Sequence, residues 1–472
     1  MKHVLYGLAL ICLSVALSCS RAEVSPPNIL LIVVDDLGWK DVGFMGSSYY
    51  ETPHLDRLAR EGTVFKQAYA AAANCAPSRA CLMSGLYPTS HGIYTVASSE
   101  RGRSKTRKIV PVENITTLRS DFYTLAEALQ SVGYRTASMG KWHLGEDPLT
   151  QGFEKNVGGD HRGHPGSYFA PYRGPDLDAP EGEHLTDRLT REALTFIRDR
   201  DDRAFFLYLP YYAVHTPIQA KDSLELKYLE KGGRECQNNA AYAGMVDNLD
   251  GNIGLLLDEL DRTGLRENTL VIFTSDNGGI RDISCQDPLR AGKGSYYEGG
   301  IRVPLVFSWP GQIEQDVWLE DPVINLDFYP TLLELTHQDP KTKLDGLSLW
   351  PLLNSSGELA ERELYFHFPV YLQAYRPGKD DGRDPLFRTR PGSVIRKGEW
   401  KLHYYYEDGG TELYNLVNDP GERNNLAFEL PEKTELLLTL LREWLDRENA
   451  PVDFQANPEF DSNLLDSLEA LY

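Results

Sequence analysis

Positive charge is scarce in this chain of 472 residues: 48 lysines and arginines stand against 69 aspartates and glutamates, a formal net charge of −21. A surface that neutralises phosphates needs the opposite balance, so nucleic acid is excluded as a partner. An anionic ligand must instead meet a locally positive pocket. Long apolar runs are also missing beyond the first 20 residues, which argues against a membrane-spanning domain. Cysteine is rare, with six in all. Cys12 and Cys19 fall in the N-terminal apolar segment, and the remaining Cys75, Cys81, Cys236 and Cys285 are too few for a disulfide scaffold. Whether Cys236 and Cys285 pair depends on a Cα separation that sequence does not fix.

The N-terminus has the pattern of an export signal. Lys2 precedes the apolar run Val4 to Leu13, and small residues follow. Two endings are compatible with the residues. One is cleavage near Ser20 to Ala22, making residues 1–22 a signal peptide; the other is a loose bacterial lipobox, Ala16-Leu17-Ser18-Cys19, with a lipid anchor at Cys19. Either ending implies an exported protein that is periplasmic, secreted or attached to the outer membrane as a lipoprotein.

Beyond residue 24, apolar strand-like runs alternate with helical periodicity, as expected of an α/β fold with a mostly parallel sheet. Asn28 to Val34 is apolar after its first residue, reads as a strand buried on both faces, and delivers Asp35-Asp36. An amphipathic stretch from Thr124 to Val132 stops at Gly133, and a short strand from Tyr134 leads to Gly140-Lys141-Trp142-His143. Phe205 to Leu209 precedes His215-Thr216-Pro217. A helical pattern from Tyr242 to Leu260 is followed by Thr269 to Thr274 and then Ser275-Asp276-Asn277-Gly278. Ligands bind beyond the carboxyl ends of strands in such sheets, so these four distant clusters are expected to converge on one site. Singly, Asp-Asp and Asp-Asn-Gly are ordinary turn sequences, and a lone His or Lys is more often structural. Their shared position at strand ends makes the case. Asp35, Asp36, Asp276 and Asn277 offer only hard oxygen donors, which suits Ca²⁺, with Mg²⁺ second, and argues against Zn²⁺.

Cys75-Ala76-Pro77-Ser78-Arg79 opens a helical segment that runs to Gly85. Together with Gly-Lys-x-His at Lys141 and His143, His-Thr-Pro at His215 and Gly292-Lys293-Gly294, it resembles the type I sulfatases, and the likeness extends from Asn28 to about Gly421. The resemblance implies an alkaline-phosphatase-like α/β architecture and the hydrolysis of sulfate esters. It further implies that Cys75 is oxidised by a maturation enzyme to formylglycine, whose hydrate attacks sulfur. By the same resemblance Asp35, Asp36, Asp276, Asn277 and the modified Cys75 hold the metal, and Lys141 and Lys293 contact sulfate. His143 assists formylglycine, His215 protonates the leaving alcohol, and Arg79 holds formylglycine and the carboxylates in place. Asn74 before the cysteine and Ser84 before Gly85 depart from the family's usual residues, but neither is a reacting group. A sulfated carbohydrate or small sulfate ester is the expected substrate. Two alternatives stay open at this point: a phosphodiesterase or phosphonate monoester hydrolase on the same scaffold, and a non-catalytic glycan-binding lipoprotein with Cys75 unmodified.

The loop from Gly158 to Arg173 is rich in aromatic, His and Arg residues, so His161, Arg162 and His164 are candidate substrate contacts, although a packed Ω-loop would have the same composition. The basic run Glu100 to Lys108 reads as a solvated face that could steer an anionic substrate. A Gly-, Pro- and Asp-rich stretch from Pro377 to Pro391 divides the expected catalytic domain, residues 24–376, from a C-terminal subdomain, residues 390–472. There, alternation from Ser393 to Leu416 predicts an antiparallel sheet, Leu430 to Arg447 predicts an amphipathic helix, and an acidic tail is expected to be disordered.

Overall fold

The computed structural model describes residues 26–199 and 201–472. The expected signal and Cys19 lie outside the described residues. Among those described, no helix is long and apolar enough to cross a membrane.

An eight-stranded sheet forms the centre, in the spatial order Val317–Leu319, Thr63–Phe65, Leu305–Ser308, Thr269–Ser275, Asn28–Val34, Phe205–Pro210, Arg135–Met139, Lys155–Val157. Only Leu305–Ser308 runs against the others, pairing antiparallel with both neighbours. Asn28–Val34 lies in the middle because it can be buried on both faces. Leu30, Ile32 and Val34 enter one core with Leu185 and Leu189 of helix Leu185–Arg198 and Leu249 and Ile253 of helix Ala240–Arg262. Ile29, Leu31 and Val33 enter the opposite core with Leu82 of helix Cys75–Ser84 and Leu125 of helix Leu125–Ser131. Each such side chain removed from water contributes on the order of 1.5–3 kcal/mol before chain entropy is set against it. The parallel register places Val34 beside Ser275, so Asp35 and Asp276 leave the sheet side by side.

Helix ends fall where the sequence sets them. Thr124 and Glu127 form a capping box ahead of Leu125–Ser131, and Asn239 accepts from the Tyr242 N–H to start Ala240–Arg262. Gly85 closes Cys75–Ser84 with φ +69, a backbone conformation that glycine adopts without strain.

The C-terminal sheet is antiparallel, in the order Glu363–Phe368, Gly392–Lys397, Trp400–Tyr405, Thr411–Asn415. Its first strand precedes the Pro377–Pro391 stretch at which the sequence reading divides the chain, so that stretch is an excursion within this region. The boundary was misplaced because turn-rich composition marks a loop without saying which sheet its flanks join. Helix Pro431–Arg447 covers the sheet, with Trp444 stacked on Tyr365 at 4.5 Å between ring centroids and edge-on to Tyr87 at 5.2 Å. Beneath it, the fully buried Lys401 Nζ lies 2.9 Å from Glu298 Oε1 and 3.0 Å from Glu422 Oε1, tying the small sheet to the catalytic region.

The acidic tail is ordered, contrary to expectation. Asp461 caps helix Ser462–Glu469, and its backbone N–H donates to Lys105 O at 2.9 Å. Asn457 Nδ2 donates to Ser104 O and Arg107 O at 2.9 and 2.7 Å, and Arg390 pairs with Glu469 at 3.3 Å. Charge content favours disorder only when backbone groups and acids find no partners, and here the basic segment supplies them. That segment is correspondingly less solvated than its composition suggests, since Arg107 is buried and donates to Glu100 O at 2.8 Å.

Cys236 and Cys285 form a disulfide across 49 residues, with Cα atoms 5.7 Å apart. Replacing both by serine should lower stability by about 4 kcal/mol on the chain-entropy estimate for a loop of this length. A urea midpoint unchanged from that of the oxidised parent would contradict the link.

Candidate active site

Five separate segments bring their polar ends to the carboxyl edge of the sheet. Asp35 and Asp36 follow the central strand, Asp276 and Asn277 follow its neighbour Thr269–Ser275, and Lys141 and His143 follow Arg135–Met139. His215 follows Phe205–Pro210, while Cys75 opens helix Cys75–Ser84 with its side chain facing them. Cys75 Sγ lies 3.4 Å from Asp35 Oδ1, 3.9 Å from Asp36 Oδ1 and 3.1 Å from Lys293 Nζ. The structure therefore collects the predicted catalytic and metal residues.

Three buried cations answer three buried carboxylates. Lys141 Nζ is 2.7 Å from Asp35 Oδ2, Lys293 Nζ is 2.7 Å from Asp36 Oδ2, and Arg79 meets Asp276 Oδ2 through Nε at 2.9 Å and Nη2 at 2.8 Å. Arg79 also donates from Nη1 to Lys141 O at 2.8 Å, fixing the Lys141 loop to the helix that carries Cys75. Burial opposes the charge on each group, so pairing decides which survive. For Asp35 burial dominates, raising its carboxyl to about 7 against the pull of Lys141. For Asp36 burial is outweighed by Lys293, His215 and Lys141 together, which hold it well below the usual carboxylate range. Burial pushes the Cys75 thiol up to about 12, with Asp35 adding to the rise, so the unmodified side chain stays protonated and is a poor nucleophile.

The two histidines sit differently. His215 Nε2 is 3.5 Å from Asp36 Oδ2, while Nδ1 is 2.7 Å from Thr216 O. Burial and then Lys293 push it down to about 3, with Asp36 pulling the other way, so the imidazole is neutral in this state. His143 occupies the left-handed backbone region at φ +62, and its Nδ1 is buried without a hydrogen-bond partner. A Cβ on Gly163 would come within 2.5 Å of the His143 ring, so the loop can close over it only through a glycine.

Beside the carboxylates, Asn277 Oδ1 is also buried without a hydrogen-bond partner, while its amide Nδ2 donates to Asp36 Oδ1 at 2.8 Å. A carbonyl-type acceptor left bare among three carboxylates fits an oxygen-loving divalent cation.

A cavity of about 580 Å³ opens above Cys75. His164 is on its wall, stacked parallel to His215 at 6.5 Å between centroids. His161 and Arg162 are not: His161 pairs with Glu146 at 2.9 Å, and Arg162 is turned back onto Asp160 by a 2.8 Å bond from Nε. Acids two and fifteen residues away claim these side chains, which composition of the loop alone could not show. The wall also holds Arg101, Tyr375, Arg376 and Arg388, which the sequence reading missed. Arg101 sat in a run read as solvated, and Arg388 in a stretch read as a divider.

The family model for sulfatases matches residues 27–338, and that for the N-sulphoglucosamine sulphohydrolase C-terminal region matches residues 292–450. This chain belongs to the sulfatase family. It is 35% identical to a sulfatase of Formosa agariphila, over 96% of this chain and 95% of the relative, and 32% identical to human arylsulfatase A, over 92% and 91%. Among solved structures it resembles Ps i-CgsB in complex with k-i-k-neocarrahexaose, with a TM-score of 0.72, 30% identity, and coverage of 95% and 98%. The sulfatase is thus a sulfuric ester hydrolase, and the expected fold and activity both hold.

Arg79 gives the site its sharpest stability test. Arg79→Ala leaves Asp276 buried without its partner and should cost about 3–5 kcal/mol in urea unfolding, as loss of one member of a buried pair does. Arg79→Lys should recover part of that loss. A change below about 1 kcal/mol in Arg79→Ala would mean that the pair is not what holds Asp276.

Proposed function

We propose that this sulfatase cleaves sulfate esters of a sulfated carbohydrate through a formylglycine made from Cys75. Asp35, Asp36, Asp276, Asn277 and the modified residue would hold Ca²⁺. The observation that carries the reading is the position of the Cys75 side chain, at the cavity floor and within 3.4 Å of both Asp35 and Lys293. A maturation enzyme would have to supply the oxidation.

A formylglycine hydrate supplies two hydroxyls on one carbon, one to attack sulfur and one whose deprotonation lets the residue expel sulfate. Bound Ca²⁺ would favour ionisation of the attacking hydroxyl and offset charge on the sulfuryl oxygens. Lys141 and Lys293 are suited to carry that same charge once an anion enters between them. His215, on the cavity wall, would protonate the leaving oxygen after it acquires a proton with the anionic substrate. His143, which burial keeps neutral and whose Nδ1 has no partner, would accept the proton of the second hydroxyl. Arg79 keeps the helix, the Lys141 loop and Asp276 in register throughout.

Support for a carbohydrate comes from the polar, aromatic-bearing cavity wall and from the similarity to Ps i-CgsB, which was solved with an oligosaccharide.

In protein co-produced with a maturation enzyme, the peptide spanning Cys75 should be about 18 Da lighter than its cysteine form, because CH₂–SH becomes CHO with loss of sulfur and two hydrogens and gain of one oxygen. Cys75→Ala should lose at least about 10³-fold in kcat on nitrophenyl sulfate. Chelation should abolish turnover, and Ca²⁺ should restore it. Full activity with an unmodified Cys75 would sink the reading, as would faster hydrolysis of nitrophenyl phosphate diesters than of the sulfate.

A further inference from the structure

The cavity wall carries more positive charge than the reaction at Cys75 uses. Lys293 is engaged by Asp36, and Arg376 pairs with Asp282 at 3.0 Å. Arg101 and Arg388 also line the wall, yet neither enters an ion pair among the described residues. In a chain with 69 acids to 48 cations, two guanidinium-bearing side chains lining one cavity without carboxylate partners need a reason.

Arg388 is built into place, and the backbone on either side of Arg101 is held. Arg388, only 6% exposed, donates from Nε to Gln373 O at 2.9 Å and from Nη1 to Lys293 O at 3.1 Å. Its guanidinium carbon lies over the Tyr375 ring, 3.6 Å from the centroid. Gly294 makes this approach possible: its φ is +84, and a Cβ there would come within 2.8 Å of Arg388 Nη1. Gln373 also holds the Arg101 segment, accepting the Gly102 N–H on Oε1 at 3.1 Å. From behind, Arg107 clamps the same segment through Glu100 O at 2.8 Å and Gly102 O at 3.2 Å. Asp380 acts on Arg388 at longer range, but its carboxylate accepts backbone N–H groups of Tyr375 and Arg376. The two guanidiniums feel each other: burial and then Arg388 hold Arg101 below its ordinary value. An anion between them would relieve that repulsion.

We propose that Arg101 and Arg388 form a second anion subsite, so that the preferred substrate bears a further sulfate or carboxylate close to the scissile ester. The spacing follows from Lys293, whose carbonyl binds Arg388 while its ammonium reaches Cys75. A lysine side chain extends roughly 6 Å, so the second anion falls on the same sugar or the next one. The inference rests on the sulfated-carbohydrate reading and narrows it to polyanionic glycans.

The test is calorimetric binding to full-length Cys75→Ser protein with Ca²⁺, which reads affinity without turnover. Three disaccharides serve as probes: a monosulfated one, the same with a second sulfate, and the same with a uronate carboxylate. At least one dianionic probe should bind about tenfold or more tighter than the monosulfated one. Arg101→Gln, which leaves the Lys293 contact intact, should shrink that advantage to within about threefold, and added salt should narrow it in the parent. A gain with only one dianionic probe supports the subsite and names its anion. Equal affinity for all three, binding by none, or an advantage that survives both Arg101→Gln and Arg388→Gln overturns it. Failure of the maturable parent to hydrolyse nitrophenyl sulfate would count against the reaction alone, since binding needs no chemistry.

Discussion

Charge neutrality inside a buried cage is the constraint on which the site depends. Asp35, Asp36 and Asp276 are buried almost completely, and so are Lys141, Lys293 and Arg79. An isolated ion in such surroundings would be too costly to keep, so each carboxylate is met by a cation at 2.7–2.9 Å. The arrangement differs from a structural ion-pair network in one respect. Arg79 is held by Asp276, Lys141 O and Tyr208, whereas Lys141 and Lys293 each hold one carboxylate and lie next to the reacting position. The first pair thus has more points of attachment than the other two. A divalent cation could take over the carboxylates, and a sulfate could take over the lysines, without change in the net charge of the cage beyond that of the ligands themselves.

The fold supplies this cage by register. Parallel pairing of Asn28–Val34 with Thr269–Ser275 on one side and Phe205–Pro210 on the other fixes where Asp35, Asp276 and the His215 loop emerge. The helix carrying Cys75 packs on one face of the same strand, so the sheet positions both the frame and the group it surrounds. The C-terminal region then completes the cavity wall with Tyr375, Arg376 and Arg388, and the buried Lys401, Glu298 and Glu422 cluster anchors it. On the proposed reading, catalysis and recognition come from different parts of one cleft. With the reacting groups on the floor and arginines on the rim, a change at the rim would alter substrate preference without disturbing the floor.

Strand ends were the legible part of the sequence. Apolar runs such as Asn28 to Val34 have one buried solution, and in a parallel sheet the polar residues that follow must meet, so Asp35, Lys141, His215 and Asp276 could be placed together from order alone. Cys75 and Lys293 entered through resemblance, because a helix start and a glycine-flanked lysine do not otherwise declare their direction. What composition did not show was which partner each side chain or backbone group would find. Arg162 and His161 were claimed by nearby acids, Arg388 was drawn in by Gln373 and Lys293, and the tail was ordered by carbonyls of residues 104–107. The Glu363–Phe368 strand fell on the wrong side of a loop for the same reason: pairing, not composition, assigns a strand to its sheet.

A crystal structure of the matured enzyme with Ca²⁺ and sulfate would examine the exchange of partners most directly. The account predicts one cation at about 2.4 Å from oxygens of Asp35, Asp36, Asp276 and Asn277, with Lys141 and Lys293 turned from the carboxylates onto sulfate. A cation bound elsewhere, with both lysines still on Asp35 and Asp36, would contradict it.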